Sequence, residues 1–97
     1  MDTGKKTIFL VDDHIANLKI GINTLSGHYN VTTMNSGGRL LKMLEKNDPD
    51  LILLDVDMPE MSGHETIRQI KSNEKTKNVP VIFLATQSDG DYELEGL

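Results

Sequence analysis

Short apolar runs alternate along this chain with segments whose apolar residues recur every three or four positions. Residues 7–11 and 51–54 are continuous apolar or β-branched runs, which are typical of strands buried on both faces. Residues 79–84 indicate another strand, with Pro80 near its start, where a missing N–H is tolerated. Residues 31–33 are poorer in bulky side chains and indicate a weaker strand at a sheet edge.

Helices are predicted between and after these strands. The apolar positions at helical spacing are Ile15, Leu18, Ile22 and Leu25, then Leu40, Leu41 and Leu44, then Ile67 and Ile70. The second helix is predicted to begin near Ser36 or Gly37, and Ser88 is predicted to cap a fourth helix. Strands and helices that alternate in this order predict an α/β fold, with a parallel sheet and helices on both of its faces.

Composition excludes several classes of function. The 97 residues suffice for one domain, which we expect to span residues 1–97. A net charge of −5 argues against direct binding of nucleic acid as the main function. The absence of cysteine excludes disulfides and thiolate metal sites. Because the chain has no signal-peptide pattern and no apolar run of membrane-spanning length, we expect a cytoplasmic protein without a membrane partner.

Carboxylates follow two of the predicted buried strands. Asp12 and Asp13 come directly after the first strand, and Asp55 and Asp57 come after the third. In a parallel sheet, ligands bind beyond the carboxyl ends of the strands, so we expect these side chains to converge. Clustered carboxylates repel one another unless a cation offsets their charge, and oxygen ligands of this kind favour Mg²⁺ or Mn²⁺. A carboxylate is also a possible nucleophile that becomes an aspartyl-phosphate.

Three motifs share their order and spacing with one known family. They are L-V-D-D at residues 10–13, L-L-D-V-D-M-P-E-M-S-G at residues 53–63, and V-P-V-I-F-L at residues 79–84. With these motifs, the chain from about Thr7 onward resembles the receiver domain of two-component response regulators. The resemblance implies a CheY-like, flavodoxin-like doubly wound parallel sheet with strand order 2-1-3-4.

The resemblance also implies a role for each acidic residue. Asp55 would accept a phosphoryl group from the phosphohistidine of a sensor histidine kinase or phosphotransfer protein. Asp12, Asp13 and Asp55 would hold Mg²⁺, with Mn²⁺ as an alternative, and the backbone carbonyl of Asp57 would be a further ligand. Such a domain is not an enzyme, but a phosphoryl acceptor that assists its own phosphorylation and dephosphorylation. The residues that would shape the loop after the acceptor are Met58, Pro59 and Gly63.

The fourth strand departs from the family pattern at its end. The family has Thr or Ser followed by Ala there, whereas this chain has Ala85 followed by Thr86. Adjacent side chains on a regular strand face opposite ways, so the hydroxyl of Thr86 would point away from the phosphate unless the strand ends or bulges. The switch hydroxyl is therefore expected to be altered.

The end of the chain is a second departure. The family has a fifth strand with a Lys just beyond it and a fifth helix, and we expect this receiver domain to be C-terminally incomplete and to lack all three. Lys71, Lys75 and Lys77 fall elsewhere in the pattern. Residues 79–84 would then form an exposed apolar edge, and such edges pair with other chains. We therefore expect a dimer through this edge, or a domain-swapped assembly.

Two other functions fit parts of the pattern. One is an interaction module on a receiver scaffold that is not phosphorylated, which the altered fourth strand favours and the intact acidic residues disfavour. The other is an aspartate-nucleophile phosphohydrolase, whose signature is also Asp-x-Asp after an apolar strand. Such enzymes usually have Thr or Val where Pro59 stands, need more chain, and do not explain the acidic pair at residues 12–13.

Two polar residues are expected close to the acidic site. His14 beside Asp13 permits a transition-metal ligand, although a surface histidine at the start of the first helix is the favoured interpretation. Asn17, on the first helix, is a candidate for influencing how fast phosphate is lost. Residues 13–18 and 80–84 together also resemble receivers attached to cyclic-dinucleotide signalling domains.

Overall fold

The computed structural model describes residues 4–56, 58, 62–86 and 92–95, and for residues 85–86 and 92–95 it describes the backbone alone. The elements in chain order are β1 (Lys6–Val11), α1 (Ile15–Leu25), β2 (Tyr29–Met34), α2 (Gly37–Leu44), β3 (Leu51–Asp55), α3 (Gly63–Lys71), β4 (Val81–Thr86) and β5 (Tyr92–Glu95). The predicted alternation of strands and helices is confirmed from β1 to β4.

The strands form one sheet in the order β2-β1-β3-β4-β5. The first four are parallel, so the predicted order 2-1-3-4 is confirmed. β2 is an edge strand, as its sparse bulky residues predicted. In the register of β1 and β3, Val11 lies opposite Leu54. The residues that follow these two therefore meet at the carboxyl edge of the sheet.

The fifth strand differs from expectation. β5 runs antiparallel to β4, with Leu94 opposite Leu84 and Tyr92 opposite Thr86. We expected an exposed β4 edge and a helix after Ser88. The first expectation is wrong, and the second is wrong for residues 92–95, while Ser88 lies outside the described residues. β5 is antiparallel because the connection between β4 and β5 is short. An antiparallel strand needs only a short link, whereas a parallel strand needs a crossover of roughly a dozen residues or more.

The main hydrophobic core lies between one face of the sheet and the helices α2 and α3. Its buried side chains from the strands and helices are Phe9, Val11, Met34, Ile52, Leu54, Val81, Phe83, Leu40, Leu44 and Ile70. Burying one such side chain contributes about 1.5–3 kcal/mol. This core therefore fixes the central strands β1 and β3, whose ends carry the acidic residues.

Helix α1 packs on the opposite face, so the prediction of helices on both faces is confirmed. Gly21 approaches β1 so closely that a Cβ atom there would overlap the side chain of Leu10. The predicted inward residues Ile15 and Ile22 are 69% and 38% exposed, whereas Leu18 is half-buried. The predicted helix is correct, but its packed face is displaced toward Gly21, because a residue without a side chain allows the closest approach to the sheet.

Serine side chains cap the two helices of the core face. Ser36 Oγ accepts a hydrogen bond from the Arg39 N–H at 3.1 Å, and Ser62 Oγ accepts one from the Glu65 N–H at 3.1 Å. Each cap contributes about 1 kcal/mol by satisfying a backbone donor that has no partner within the helix. The predicted start of α2 near Ser36 or Gly37 is confirmed. Among the described helices, none has the length and apolar character needed to cross a membrane.

Candidate metal centre

Asp12 and Asp55 lie side by side at the carboxyl edge of the sheet. Asp12 follows the last residue of β1, and Asp55 is the last residue of β3. Both side chains are only 1% exposed. Because these neighbouring strands are parallel and in register, the fold itself places two buried carboxylates next to each other, as the strand ends predicted.

A compact group of four side chains surrounds this position. One ligand atom each from Asp12, Asp13, His14 and Asp55 lies within 4.8 Å of the other three. The structure therefore brings together the three carboxylates that the sequence predicted, and it adds His14. Asp57, whose backbone carbonyl was a predicted ligand, lies outside the described residues.

Three hydrogen bonds hold the Asp12 carboxylate. Its Oδ1 accepts the backbone N–H of His14 at 2.9 Å and lies 3.0 Å from the imidazole Nδ1 of the same residue. Its Oδ2 accepts a hydrogen bond from the Asn17 side-chain amide at 3.0 Å. Both oxygens of this buried carboxylate are therefore occupied by donors of the same chain, which fixes its orientation.

Asp13 is in a different state. Its Oδ1 is buried, and among the described residues it has no hydrogen-bond partner. His14 Nδ1 lies 3.1 Å from it, a contact of ion-pair distance without hydrogen-bond geometry. Burying an acceptor without a partner costs about 1–3 kcal/mol. A bound cation would remove this cost, so the donor set fits a metal ion.

The carboxylates also act on His14 itself. Its side chain is 63% exposed, which agrees with the predicted surface position, yet its ring nitrogen belongs to the acidic group. The hydrogen bond to Asp12 raises the pKa of the imidazole above its ordinary value, and the charges of Asp13 and Asp12 raise the pKa further. In the absence of a metal, this histidine partly offsets the negative charge of the site.

Sequence reasoning placed Asn17 near the crevice, but it missed the contact that Asn17 makes. The signal for that contact is present in the sequence, because position 17 lies in the first turn of a helix that starts just after the acidic pair. For His14, the favoured interpretation as a surface residue missed the contact of its ring with the acidic group. The N-cap residue His14 comes directly after the acidic pair that follows β1, so its ring can fold back onto the carboxylates.

The segment after Asp55 is shaped by Gly63, the first residue of α3. Its N–H donates a hydrogen bond to the Val56 carbonyl at 3.2 Å. A Cβ atom at position 63 would lie 2.7 Å from both the Asp55 carbonyl oxygen and the Val56 Cα. The helix therefore reaches the strand end only because residue 63 is glycine. Met58 is buried at 7% exposure, and Pro59 lies outside the described residues.

The predicted switch position lies on the neighbouring strand. Val56 N–H donates to the Leu84 carbonyl at 3.2 Å, which sets the end of β4 beside the end of β3. Ala85 and Thr86 are the last residues of β4, and strand pairing continues to Thr86. Their side chains lie outside the described part of the structure, so the expected change of the switch hydroxyl stays a prediction.

Three lysines that the sequence pattern placed away from the acidic site make contacts near the end of α3. Lys71 Nζ donates to the carbonyls of Lys77 and Val79 at 3.1 and 3.0 Å, and Lys77 Nζ pairs with Glu74 at 2.9 Å. The Lys75 ammonium donates to the Glu45 carbonyl. All three lysines are exposed and serve the end of α3 and the segment that follows it.

Comparison with known proteins identifies a family. The family model of the response regulator receiver domain matches residues 8–97. The chain is 41% identical over 95 residues to a probable cyclic di-GMP phosphodiesterase of Vibrio cholerae. This match covers 98% of this chain but only 22% of that protein. The chain is 34% identical over 91 residues to the polar-differentiation response regulator DivK of Brucella ovis, spanning 91% of this chain and 73% of that protein.

Solved structures agree with this match. The N-terminal domain of a response regulator receiver protein from Methanoculleus marisnigri superimposes with a TM-score of 0.81 and 36% sequence identity. The match covers 84% of this chain and 68% of that one. The described fold and the sequence therefore point to the same group of proteins.

Proposed function

Because this chain belongs to the response regulator receiver domain family, we propose that it accepts a phosphoryl group on Asp55. The donor is the phosphohistidine of a sensor histidine kinase or of a phosphotransfer protein. The observation that carries the proposal is the convergence of Asp12, Asp13 and Asp55, whose ligand atoms lie within 4.8 Å of one another beside His14.

The acidic group fits a divalent cation. Mg²⁺ prefers oxygen ligands and is typically held by one or two carboxylates together with water and phosphate oxygens. Asp13 supplies a buried oxygen that has no hydrogen bond within the described part of the chain, so we assign it the direct contact, whereas both oxygens of Asp12 already accept hydrogen bonds. When bound, the ion would neutralise negative charge on the acceptor and on the incoming phosphoryl group.

The residues of the chain supply position and surroundings for the transfer. Asp55 ends the central strand β3 and is 1% exposed, so its carboxylate is presented from a rigid element. The His14 and Asn17 donors keep Asp12 in one orientation behind the site. Positioning and electrostatics are the main contributions that a protein makes to phosphoryl transfer.

The chemical step is an exchange at phosphorus. A carboxylate oxygen of Asp55 forms a bond to phosphorus while the N–P bond of the phosphohistidine breaks. The electron pair of that bond stays on the imidazole nitrogen of the donor, and the product is an aspartyl-phosphate. The chain is the acceptor in this reaction and assists it, so we do not assign it catalytic turnover on a separate substrate.

The proposal is tested with a small donor that contains a P–N bond. The chain is incubated with phosphoramidate and Mg²⁺, and its intact mass is measured. We expect an adduct of about 80 Da, the mass of one phosphoryl group. The adduct should be absent from Asp55→Asn and without Mg²⁺. Asp48→Asn, which changes an exposed aspartate, is the matched control and should keep the adduct.

Other outcomes would select the alternatives. No adduct on a folded wild-type chain would favour an interaction module that is not phosphorylated. An adduct that survives Asp55→Asn would place the acceptor elsewhere. Steady release of product from a phosphomonoester such as p-nitrophenyl phosphate would favour a phosphohydrolase.

The Vibrio cholerae relative supports a proposal about output. It is named as a probable cyclic di-GMP phosphodiesterase, and this chain corresponds to 22% of its length. We propose that a receiver of this sequence controls an output domain of the cyclic-dinucleotide class. Fused to such a domain, the wild-type receiver should change cyclic di-GMP turnover when it is phosphorylated, and the Asp55→Asn receiver should not.

A further inference from the structure

We propose that His14 is a metal ligand of the acidic site, and that its imidazole makes the site prefer a six-coordinate, nitrogen-accepting transition ion such as Ni²⁺ over Mg²⁺. The proposal rests on the proposed function, because it concerns the same ion site. It goes further by assigning a side chain that sets the choice of ion.

The first support is the spacing of the possible ligand atoms. His14 Nδ1 lies 3.0 Å from Asp12 Oδ1 and 3.1 Å from Asp13 Oδ1. Two neighbouring ligands of a six-coordinate ion, at bonds of about 2.1 Å and right angles, lie about 3.0 Å apart. A tetrahedral ion with bonds of about 2.0–2.1 Å would need about 3.3 Å. The separation of His14 Nδ1 from Asp13 Oδ1 therefore suits two neighbouring ligands of a six-coordinate ion, once the ring has turned away from its hydrogen bond to Asp12.

The second support is the state of the Asp13 oxygen. Its Oδ1 is buried and has no hydrogen-bond partner among the described residues, although His14 Nδ1 is 3.1 Å away. An ion bound by both atoms would give this oxygen a partner and use the imidazole at the same time. The contact between these two atoms is not a hydrogen bond, because the ring nitrogen is hydrogen-bonded to Asp12, and the Asp13 oxygen is left open to an ion.

The third support is the chemistry of the mixed donor set. Carboxylate oxygens alone suit Mg²⁺ and Mn²⁺, whereas imidazole nitrogen suits Ni²⁺, Zn²⁺, Cu²⁺ and iron. Mg²⁺ gains little from a nitrogen ligand, so an imidazole at this distance adds affinity selectively. The His14 side chain is 63% exposed, which leaves its ring free to turn from the Asp12 hydrogen bond toward an ion.

The test compares two ions and two kinds of variant on the whole chain. The dissociation constants of Ni²⁺ and Mg²⁺ are measured by calorimetry at constant pH for the wild type, His14→Gln, and the controls His28→Gln and His64→Gln. We expect His14→Gln to weaken Ni²⁺ binding by about tenfold or more and Mg²⁺ binding by less than about twofold. Both controls change exposed histidines outside the acidic group and should have no effect.

A second measurement detects the coordinated imidazole directly. X-ray absorption at the nickel edge of the wild-type complex should show scattering from one coordinated imidazole, and His14→Gln should lose that signal. Unchanged Ni²⁺ affinity in His14→Gln, or an equal loss for Ni²⁺ and Mg²⁺, would overturn the proposal, because an equal loss means that His14 acts only by orienting Asp12. If the wild-type chain binds Mg²⁺ but shows no imidazole signal, His14 is not a ligand and the proposed metal site still stands. If the chain binds neither ion, the proposed metal site is also wrong.

Discussion

At the scale of the residue, two adjacent carboxylates of the acidic site differ in their hydrogen bonds. Asp12 is buried and fully hydrogen-bonded, while Asp13 keeps one buried oxygen without such a partner among the described residues. The same two side chains hold the imidazole of His14 between them. One carboxylate is therefore fixed in place, and the other is left open to a cation.

The protonation of His14 is the first property that this arrangement predicts. In metal-free buffer, an NMR titration of the His14 ring should give a pKa above the ordinary value of about 6.5, because Asp12 and Asp13 favour the imidazolium. Asp12→Asn should bring the pKa down, and Asp48→Asn should leave it unchanged. A wild-type pKa at or below the ordinary value would contradict the hydrogen-bond assignment.

The sign of the stability effect follows from that direction. A pKa raised in the folded state stabilises the protein below the pKa of the unfolded chain, about 6.5, and the contribution is lost as pH rises through the folded value. Without Mg²⁺, thermal unfolding should therefore show the wild type losing its advantage over His14→Gln as pH rises from mildly acidic to alkaline. An advantage that grew over this range would reverse the proposed sign.

The contact of Gly63 with the strand end gives a second prediction. Gly63→Ala should lower the free energy of unfolding by about 1–3 kcal/mol, because the added Cβ meets backbone atoms 2.7 Å away. Gly38→Ala is the matched control, since Gly38 lies in α2 with open space around its Cβ position. That control should stabilise the chain by up to about 1 kcal/mol. Chemical denaturation of both variants measures the difference, and equal effects would be inconsistent with the close approach.

At the scale of the element, strand pairing decides which edges of the sheet are open. β4 is apolar from Val81 to Ala85, and β5 pairs with its outer edge. The dimer predicted through that edge therefore loses its structural basis in this chain. An unpaired edge of this composition would expose a row of backbone donors and acceptors to another chain.

Disrupting β5 should expose the edge of β4 and let two copies of the chain associate through it. The double variant Glu93→Pro/Leu94→Pro removes the backbone N–H of two consecutive residues, so one of the two falls on a hydrogen-bonded pair with β4. We expect sedimentation to show a concentration-dependent rise in oligomers for this variant and a smaller rise, or none, for the wild type. Indistinguishable sedimentation of the two proteins would show that β5 does not protect the edge.

At the scale of the whole molecule, the acidic site joins elements that are distant along the chain. Asp12 and Asp13 follow β1, Asp55 ends β3, and α3 starts against the Asp55 carbonyl through Gly63. These parts meet only in the folded state, so a ligand that holds them together should stabilise the whole fold.

Magnesium should therefore raise the stability of the chain. A ligand that binds the native state alone stabilises it by about 2.7 kcal/mol at a concentration of 100 times its dissociation constant. We expect a rise in melting temperature with Mg²⁺ for the wild type and for Asp48→Asn, and a much smaller rise for Asp13→Asn. A full shift in Asp13→Asn would show that the ion binds somewhere else.

Much of the fold and of the candidate site followed from local sequence patterns. Two apolar runs that each end in acidic residues determined the central strands β1 and β3, and parallel alternation determined that Asp12, Asp13 and Asp55 lie at the same edge. These predictions succeeded because buried strands need continuous apolar side chains and because parallel strands share their carboxyl ends. Ser36 and Ser62 cap the starts of α2 and α3, and a serine at such a position is also a local sequence signal.

Other features were decided only by contacts between distant parts of the chain. The packed face of α1 was set by the approach of Gly21 to Leu10, which outweighed the apolar spacing of Ile15 and Ile22. The antiparallel β5 depends on its pairing with the outer edge of β4, which is a contact that the sequence pattern did not predict. The sequence by itself determined which residues form the strands and carry the acidic groups, because burial and backbone geometry act locally. The tertiary structure decided which carboxylate oxygen stays open and that His14 joins it, because hydrogen bonds and charges depend on distances that only packing sets.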